Sequence, residues 1–145
     1  MPHDLHATVA ARLRRVGYRY TAGRRALVVA IIGANRPMTA SELTAATRGL
    51  PQSTMYRNLA HLEQAGVVHR VFSTDDYARF ELAEELGGHH HHLVCVTCGT
   101  VEDFTAPGRF ERILSELMSK VTDGRGFTAE THRLDLLGVC GTCAP

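Results

Sequence analysis

Apolar residues recur at helical spacing from the start of the chain. Leu5, Val9, Leu13 and Val16 share one face, Asp4 supplies an acidic start and Gly17 a stop. Residues 4–16 are therefore expected to form an amphipathic helix that carries Arg12, Arg14 and Arg15 near its end. The Thr21 hydroxyl can cap a second helix, running through Arg24 and Arg25 into the apolar stretch 26–32 before Pro37 breaks the chain. Thr39 followed three residues later by Glu42 is a capping-box pattern that opens a short helix to about Arg48, and Gly49 and Pro51 make the turn after it. The next helix starts at Ser53 or Thr54 and ends at Gly66. Its Met55, Leu59 and Leu62 lie on one face and point inward, which leaves Thr54, Tyr56, Arg57, Asn58 and His61 outward. β-Branched and aromatic runs at 67–72 and 77–82, separated by Ser73, Thr74, Asp75 and Asp76, read as a hairpin.

Two short helices joined by a tight turn form a helix-turn-helix, and a hairpin behind it is a wing. Outward side chains at the start of the second helix are placed to enter a major groove. Arg57 can donate to phosphate or guanine, Asn58 can pair with adenine, and Tyr56 can touch phosphate or a thymine methyl. The bland alternative is a helical packing module whose arginines are merely solvated. Charge bears on the choice, because a formal net charge of +1 hides an asymmetry. Residues 1–82 hold eleven arginines against six acidic residues, a balance of +5, whereas residues 83–145 hold five bases against nine acids, a balance of −4. Only the first half suits a polyanion, although charge alone does not separate nucleic acid from a solvated basic face.

A composition of 44% hydrophobic and 21% charged residues is that of a globular protein. No run reaches the roughly 18 apolar residues of a membrane span. The opening Met-Pro-His-Asp-Leu-His lacks the basic region, apolar core and cleavage site of a secretory signal, so a cytoplasmic location with reduced thiols is expected.

Reduced thiols decide how the four cysteines are read. Cys95 and Cys98, and again Cys140 and Cys143, form Cys-x-x-Cys pairs with a glycine close by, the pattern of a tetrahedral four-thiolate zinc site. Disulfide exchange is the competing use, and two pairs at domain edges argue against it. The 41 residues between the pairs exceed the spacing of a small zinc ribbon, so a strand (101–104), a helix (110–118) and a returning strand (127–137) are expected between them. Zinc would close a small α+β domain that buries little core unaided. His89, His90, His91 and His92 form an unbroken run whose mid-chain position argues against an affinity tag. In an extended segment His89 and His91 serve one face, and His90 and His92 the other. Imidazole suits zinc, iron(II), nickel and copper, so residue type alone does not choose the metal. His132 and Glu111, taken singly, read as surface groups. No paired base of the His-Glu-x-x-His kind accompanies the histidines, so catalysis is not expected.

The combined pattern resembles the ferric uptake regulator family, which also contains zinc, manganese, nickel and peroxide sensors. Its carriers are the segments 17–24 (Gly-Tyr-Arg-Tyr-Thr-Ala-Gly-Arg), 53–59 (Ser-Thr-Met-Tyr-Arg-Asn-Leu), 65–68, 79–82, 89–99 and 138–143. The resemblance covers nearly the whole chain. It implies an α+β fold: a winged helix-turn-helix DNA-binding domain at 1–83, a hinge at 84–88 and a small zinc-stapled dimerisation domain at 89–145. It further implies a homodimer that represses transcription from a palindromic operator in double-stranded DNA, closed into its binding pose by a metal at the hinge. By position, Cys95, Cys98, Cys140 and Cys143 would hold structural zinc. The hinge sensor would use Glu81, His90 and His92, and a second site in the dimerisation domain His89, His91, Glu111 and His132. Glu111 aligns only with a one-residue insertion before it. Arg24, Thr54, Tyr56, Arg57 and Asn58 would be the DNA-binding set.

The chain also departs from the family pattern. Many iron sensors supply a histidine just before the third helix, where this sequence has Pro37. His69 matches a position that supplies a hinge ligand in zinc-sensing relatives and is the expected fourth ligand. Actinobacterial-type zinc sensors place a cysteine after the second wing strand, where this chain has Ala83, Glu84 and Glu85. Glu81 stands where peroxide sensors typically have aspartate. Through His69 and the histidine run the sequence favours Zn2+ as the regulatory metal, with Fe2+ the alternative.

Overall fold

The computed structural model describes residues 4–145; the first three residues, with which the expected 1–83 unit begins, lie outside the described residues. Helix α1 (Leu5–Arg15) is capped by Asp4, whose carboxylate accepts the His6 N–H at 3.0 Å. Helix α2 (Ala22–Ala34) is capped by Thr21 and ends at Asn35, which adopts the left-handed conformation at φ 52°. Strand β1 (Met38–Thr39) leads into α3 (Ala40–Ala46) through the expected capping box. Thr39 Oγ1 accepts the Glu42 N–H at 3.2 Å, and Glu42 Oε2 accepts the Thr39 N–H at 2.8 Å. Helix α4 (Gln52–Gln64) begins directly after Pro51, before Ser53, and has no side-chain cap.

Strands β2 (Val68–Phe72) and β3 (Ala78–Leu82) form the expected hairpin, and β1 joins it on the far side of β3, with Met38 opposite Phe80. The two-residue β1 has too few positions to show a strand alternation. Leu13, Leu27, Leu43, Leu59, Leu62 and Val67, each 2% exposed or less, close the core between these helices and the sheet.

A short helix α5 (Glu84–Gly87) connects to a second three-stranded sheet. There β4 (His91–Cys95) is central, antiparallel to β5 (Val101–Phe104) and parallel to β6 (Asp135–Gly138). The returning strand expected over 127–137 is therefore regular only in its last part. Pairing with β4 starts at His92 opposite Asp135, and before His91 the chain turns away through Gly88, so residues upstream of Asp135 have no strand to pair with. Helix α6 (Gly108–Thr122) is longer than the expected 110–118, and none of its residues is buried within the chain.

The hairpin lies along this second sheet. Val71 of β2 packs with Val94 and Val101 in a second buried cluster. At the hairpin tip Ser73 Oγ donates to the Gly99 carbonyl at 2.7 Å and Thr74 Oγ1 to the Cys95 carbonyl at 3.0 Å. The Asp75 carboxylate, gripped by both terminal nitrogens of Arg79, fills the space where a Gly99 Cβ would stand. Among the described residues no helix is long and apolar enough to cross a membrane.

Candidate metal centres and DNA-facing surface

The parallel pairing of β4 with β6 sets Cys95 opposite Gly138, so the turn after β6 delivers Cys140 and Cys143 to the Cys95–Cys98 knuckle. The four sulfurs lie within 4.8 Å of one another, and Cys98 and Cys140 Sγ are 3.8 Å apart. Tetrahedral zinc with Zn–S bonds of ~2.3 Å requires edges of about 3.8 Å, so the set fits a zinc ion. Backbone N–H groups of Cys140 and Cys98 aim at Cys95 and draw its thiol down to about 6. The neighbouring Cys140 and Cys98 sulfurs push Cys143 up to about 12. Four thiols this close cannot all ionise unaided; a divalent cation is what would let them.

A second cluster joins the two sheets. Glu81 of β3 is buried and meets His90 Nε2 and His92 Nε2, each 3.0 Å from the same oxygen, Oε2. Asp103, opposite His92 on β5, completes a group of four whose ligand atoms lie within 4.8 Å of one another. Burial alone would raise the Glu81 pKa, but hydrogen bonds from His69 and His92, the His92 charge and a further bond from His90 hold it far below the ordinary carboxylate range. Burial works against His92 and His90 as well. The Glu81 carboxylate, helped at His90 by the Gly88 carbonyl, nevertheless raises both above the usual imidazole value. Asp103 is raised, first by burial and then by Glu81, and its Oδ1 is buried without a partner.

Hydrogen bonding shows what the cluster suits. His90 Nδ1 lies 3.0 Å from the Gly88 carbonyl, which can only accept, so this nitrogen carries a proton. In the neutral ring Nε2 then presents its lone pair to the Glu81 carboxylate. That arrangement is repulsive unless a proton or a metal ion lies between them. Asp135, 3.4 Å from His92 Nδ1, plays the orienting part for the other ring. Two oriented imidazoles and two carboxylates fit a divalent ion.

His69, the expected fourth ligand, stands beside the group of four and not within it. It pairs across the hairpin with Glu81 and its Nε2 lies 2.7 Å from the other oxygen, Oε1, outside the group of four. Asp103 completes the group of four instead, a residue that the sequence pattern did not single out. Its strand was legible, but the register that sets it opposite His92 was not.

On the other face of β4 His91 converges with Glu111, His132 and His89, the last from the segment just before the strand. His91 Nε2 is 2.6 Å from Glu111 Oε1, and His132 Nε2 is 3.2 Å from both His89 Nε2 and Glu111 Oε2. Glu111 arrives from the first turn of α6 and His132 from the irregular segment before β6. Neither could be placed from strand periodicity. His91 Nδ1 is buried without a partner, and Glu84 of α5 hydrogen bonds His89 Nδ1 from behind. This set too fits a divalent metal.

The helix-turn-helix is α3 and α4, and of the five residues expected to face DNA it exposes some and buries others. Tyr56 is 49% exposed, Arg57 is exposed and Thr54 is half-buried near the start of α4. Asn58 and Arg24, at 6% and 8%, are not on the surface. Asn58 turns in because it packs against α2, where a Cβ at Gly23 would lie 3.1 Å from its Nδ2. Arg24 turns in toward His61, with its Nη2 2.6 Å from His61 Nδ1.

A helix-turn-helix half that meets a second sheet at a cluster of imidazoles and carboxylates, with four cysteines gathered beyond it, is the arrangement of a metal-responsive DNA-binding regulator. The sequence model of the ferric uptake regulator family matches residues 15–137, and the chain belongs to that family. It is 40% identical over 91 residues to the ferric uptake regulation protein of Bordetella parapertussis, a match spanning 63% of this chain and 60% of that protein. It is 30% identical over 145 aligned residues to the peroxide-responsive repressor PerR of Staphylococcus epidermidis, covering 97% of this chain and 91% of that one. Its fold matches the Helicobacter pylori ferric uptake regulator Fur with a TM-score of 0.74 at 22% identity, over 95% of this chain and 93% of that chain. Members of the family are DNA-binding, dimeric, metal-responsive transcription regulators and not enzymes.

Proposed function

We propose that this chain is a homodimeric repressor of metal-uptake genes that binds a palindromic operator when a divalent metal occupies the Glu81, His90, His92 and Asp103 cluster. The observation that carries this reading is that Glu81 belongs to the hairpin of the first sheet, whereas His92 and Asp103 belong to the second and His90 immediately precedes its central strand. We take residues 1–83 as the DNA-binding domain, 84–88 as the hinge and 89–145 as the dimerisation domain. A bound ion supplies the positive charge that lets two carboxylates and two imidazoles meet. Gly88 and Asp135 hold the rings toward that point, and Glu81 anchors the hairpin to it. A ligand set assembled from two bodies is complete only when they are closed, so metal favours the closed form by its differential affinity. The Helicobacter pylori relative has three functional metal-binding sites, and this chain brings together three ligand clusters.

Zinc is the favoured regulatory ion, on the strength of the histidine run that gives two imidazoles to each of two clusters. Asp103 in place of His69 favours a second reading, iron(II), because a set half oxygen and half nitrogen suits that ion as well. One titration separates them. Full-length dimer with its thiolate zinc retained is titrated anaerobically with buffered zinc or iron(II), and binding to a palindromic duplex is read by anisotropy. Zinc activating at far lower free concentration than iron is the expected result; the reverse order makes the protein an iron sensor. His90→Ala should leave a folded dimer that ignores metal, whereas Cys95→Ser should lose zinc and unfold or dissociate. Equal loss of structure in both variants would contradict the division into regulatory and structural sites.

A further inference from the structure

Arg24 does something the DNA-contact reading does not require. Its Nη1 donates to the Arg19 carbonyl in the turn between α1 and α2, and its Nη2 reaches His61 Nδ1, at 2.6 Å, on the last turn of α4. A guanidinium only donates, so His61 Nδ1 accepts and the neutral ring keeps its proton on Nε2. Tyr18, from the same turn as Arg19, stacks on the His61 ring with centroids 3.9 Å apart and planes 19° apart. Its hydroxyl donates to Gln64 at 3.0 Å, and the Arg24 guanidinium carbon lies 5.3 Å from the Tyr18 ring centroid. One buried fork thus ties the turn after α1 to the recognition helix. A group so enclosed cannot reach a phosphate without giving up these bonds.

We infer that Arg24 is a positioning residue that sets the rotation of α4 through His61, so that Tyr56 and Arg57 meet base edges in register, and that it governs sequence discrimination without adding a phosphate contact. The inference rests on the DNA-binding reading above. A planar fork spanning two acceptors is a task lysine cannot perform, although lysine keeps the charge. The two roles therefore predict opposite behaviour for Arg24→Lys.

The test uses the full-length zinc-loaded protein and two duplexes: a fragment selected by that protein from a random-sequence library, and a mixed-sequence duplex of equal length. Arg24→Gln and Arg24→Lys should both weaken binding to the selected fragment by roughly 10- to 100-fold, the effect of one misplaced base contact. Binding to the mixed duplex should stay within about twofold, because phosphate attraction is untouched. If Arg24 is instead a phosphate contact, the lysine variant binds as wild type. The glutamine variant then weakens on both duplexes alike and lowers the slope of log K against log salt by about 0.9; that pattern overturns the inference. His61 supplies an independent arm should the Arg24 variants fail to fold. His61→Asn, whose amide oxygen can take the place of Nδ1, should retain discrimination, and His61→Ala should lose it. Both binding like wild type would overturn the inference. Arg57→Ala must weaken the selected fragment in the same assay; if it does not, the DNA reading of α4 fails rather than the role of Arg24.

Discussion

Glu42 shows how much one side chain can be asked to do. Its carboxylate closes the capping box of α3 and also receives Arg36, with Nη1 3.1 Å from Oε2. Desolvation pushes its pKa up, but the Arg36 and Thr39 hydrogen bonds outweigh that and hold it below the ordinary glutamate value. A depressed folded-state pKa means stabilisation that is present above the unfolded value, about 4.3, and lost as pH falls through the folded one. Glu42→Gln should therefore cost about 1 kcal/mol or less at pH 7, given the partial exposure of both partners. The gap to wild type in urea unfolding should narrow as the pH is lowered below 4; a gap independent of pH would show that the carboxylate charge contributes nothing. Residues like Glu42 were legible because their partners are local. The cysteines and histidines were legible because their chemistry is scarce and their spacing short. Asp103 was not, because an aspartate on a strand looks like surface charge until the register of β5 is known; Arg24 was named through the family resemblance as a DNA contact, but its inward turn toward His61 shows only once the crossing of α2 over α4 is known.

Among the elements, the hairpin departs most from what its sequence position suggests. The sequence reads it as a wing behind the helix-turn-helix, and the structure seats its tip on the cysteine knuckle of the second sheet through Ser73, Thr74 and Asp75. Gly99 makes the seat, since its φ of +77° suits glycine and any Cβ would strike Asp75. Gly99→Ala is expected to destabilise the protein by about 1–3 kcal/mol, seen as a lower melting temperature with the zinc still bound. An unchanged melting temperature would mean that the tip is not held there. The helices were readable in advance through their caps and their 3.6-residue apolar rhythm. Strand β1 was not, because it is defined by what it pairs with and is too short to carry a pattern; β6 was expected, but its start was placed well upstream of Asp135, where no partner strand runs beside it.

At the scale of the whole molecule the unfinished surface is α6. Phe110, Ile113, Leu117 and Val121 form a stripe at helical spacing, each 40–63% exposed, and Leu136 and Leu137 of β6 are exposed as well. Burying side chains of this size is worth roughly 1.5–3 kcal/mol each, and a second copy of the chain is the partner that dimerisation in this family requires. Leu117→Glu should give a monomer in sedimentation that keeps its zinc and its helicity and binds operator poorly. A dimer at the same concentration would place the interface elsewhere.

The hairpin also constrains how such a molecule can open. Its base carries Glu81 into the imidazole cluster and its tip rests on the thiolate knuckle, so the DNA-reading half is mounted like a beam clamped at both ends, not like a door on one pin. If a metal at the imidazole cluster works as proposed, its loss would free one clamp only, and the beam would pivot about the other without swinging clear. On the proposed metal mechanism, full travel would need both released, which would make the cysteine knuckle a limit stop on the regulator's range of motion as well as a brace for its own small domain.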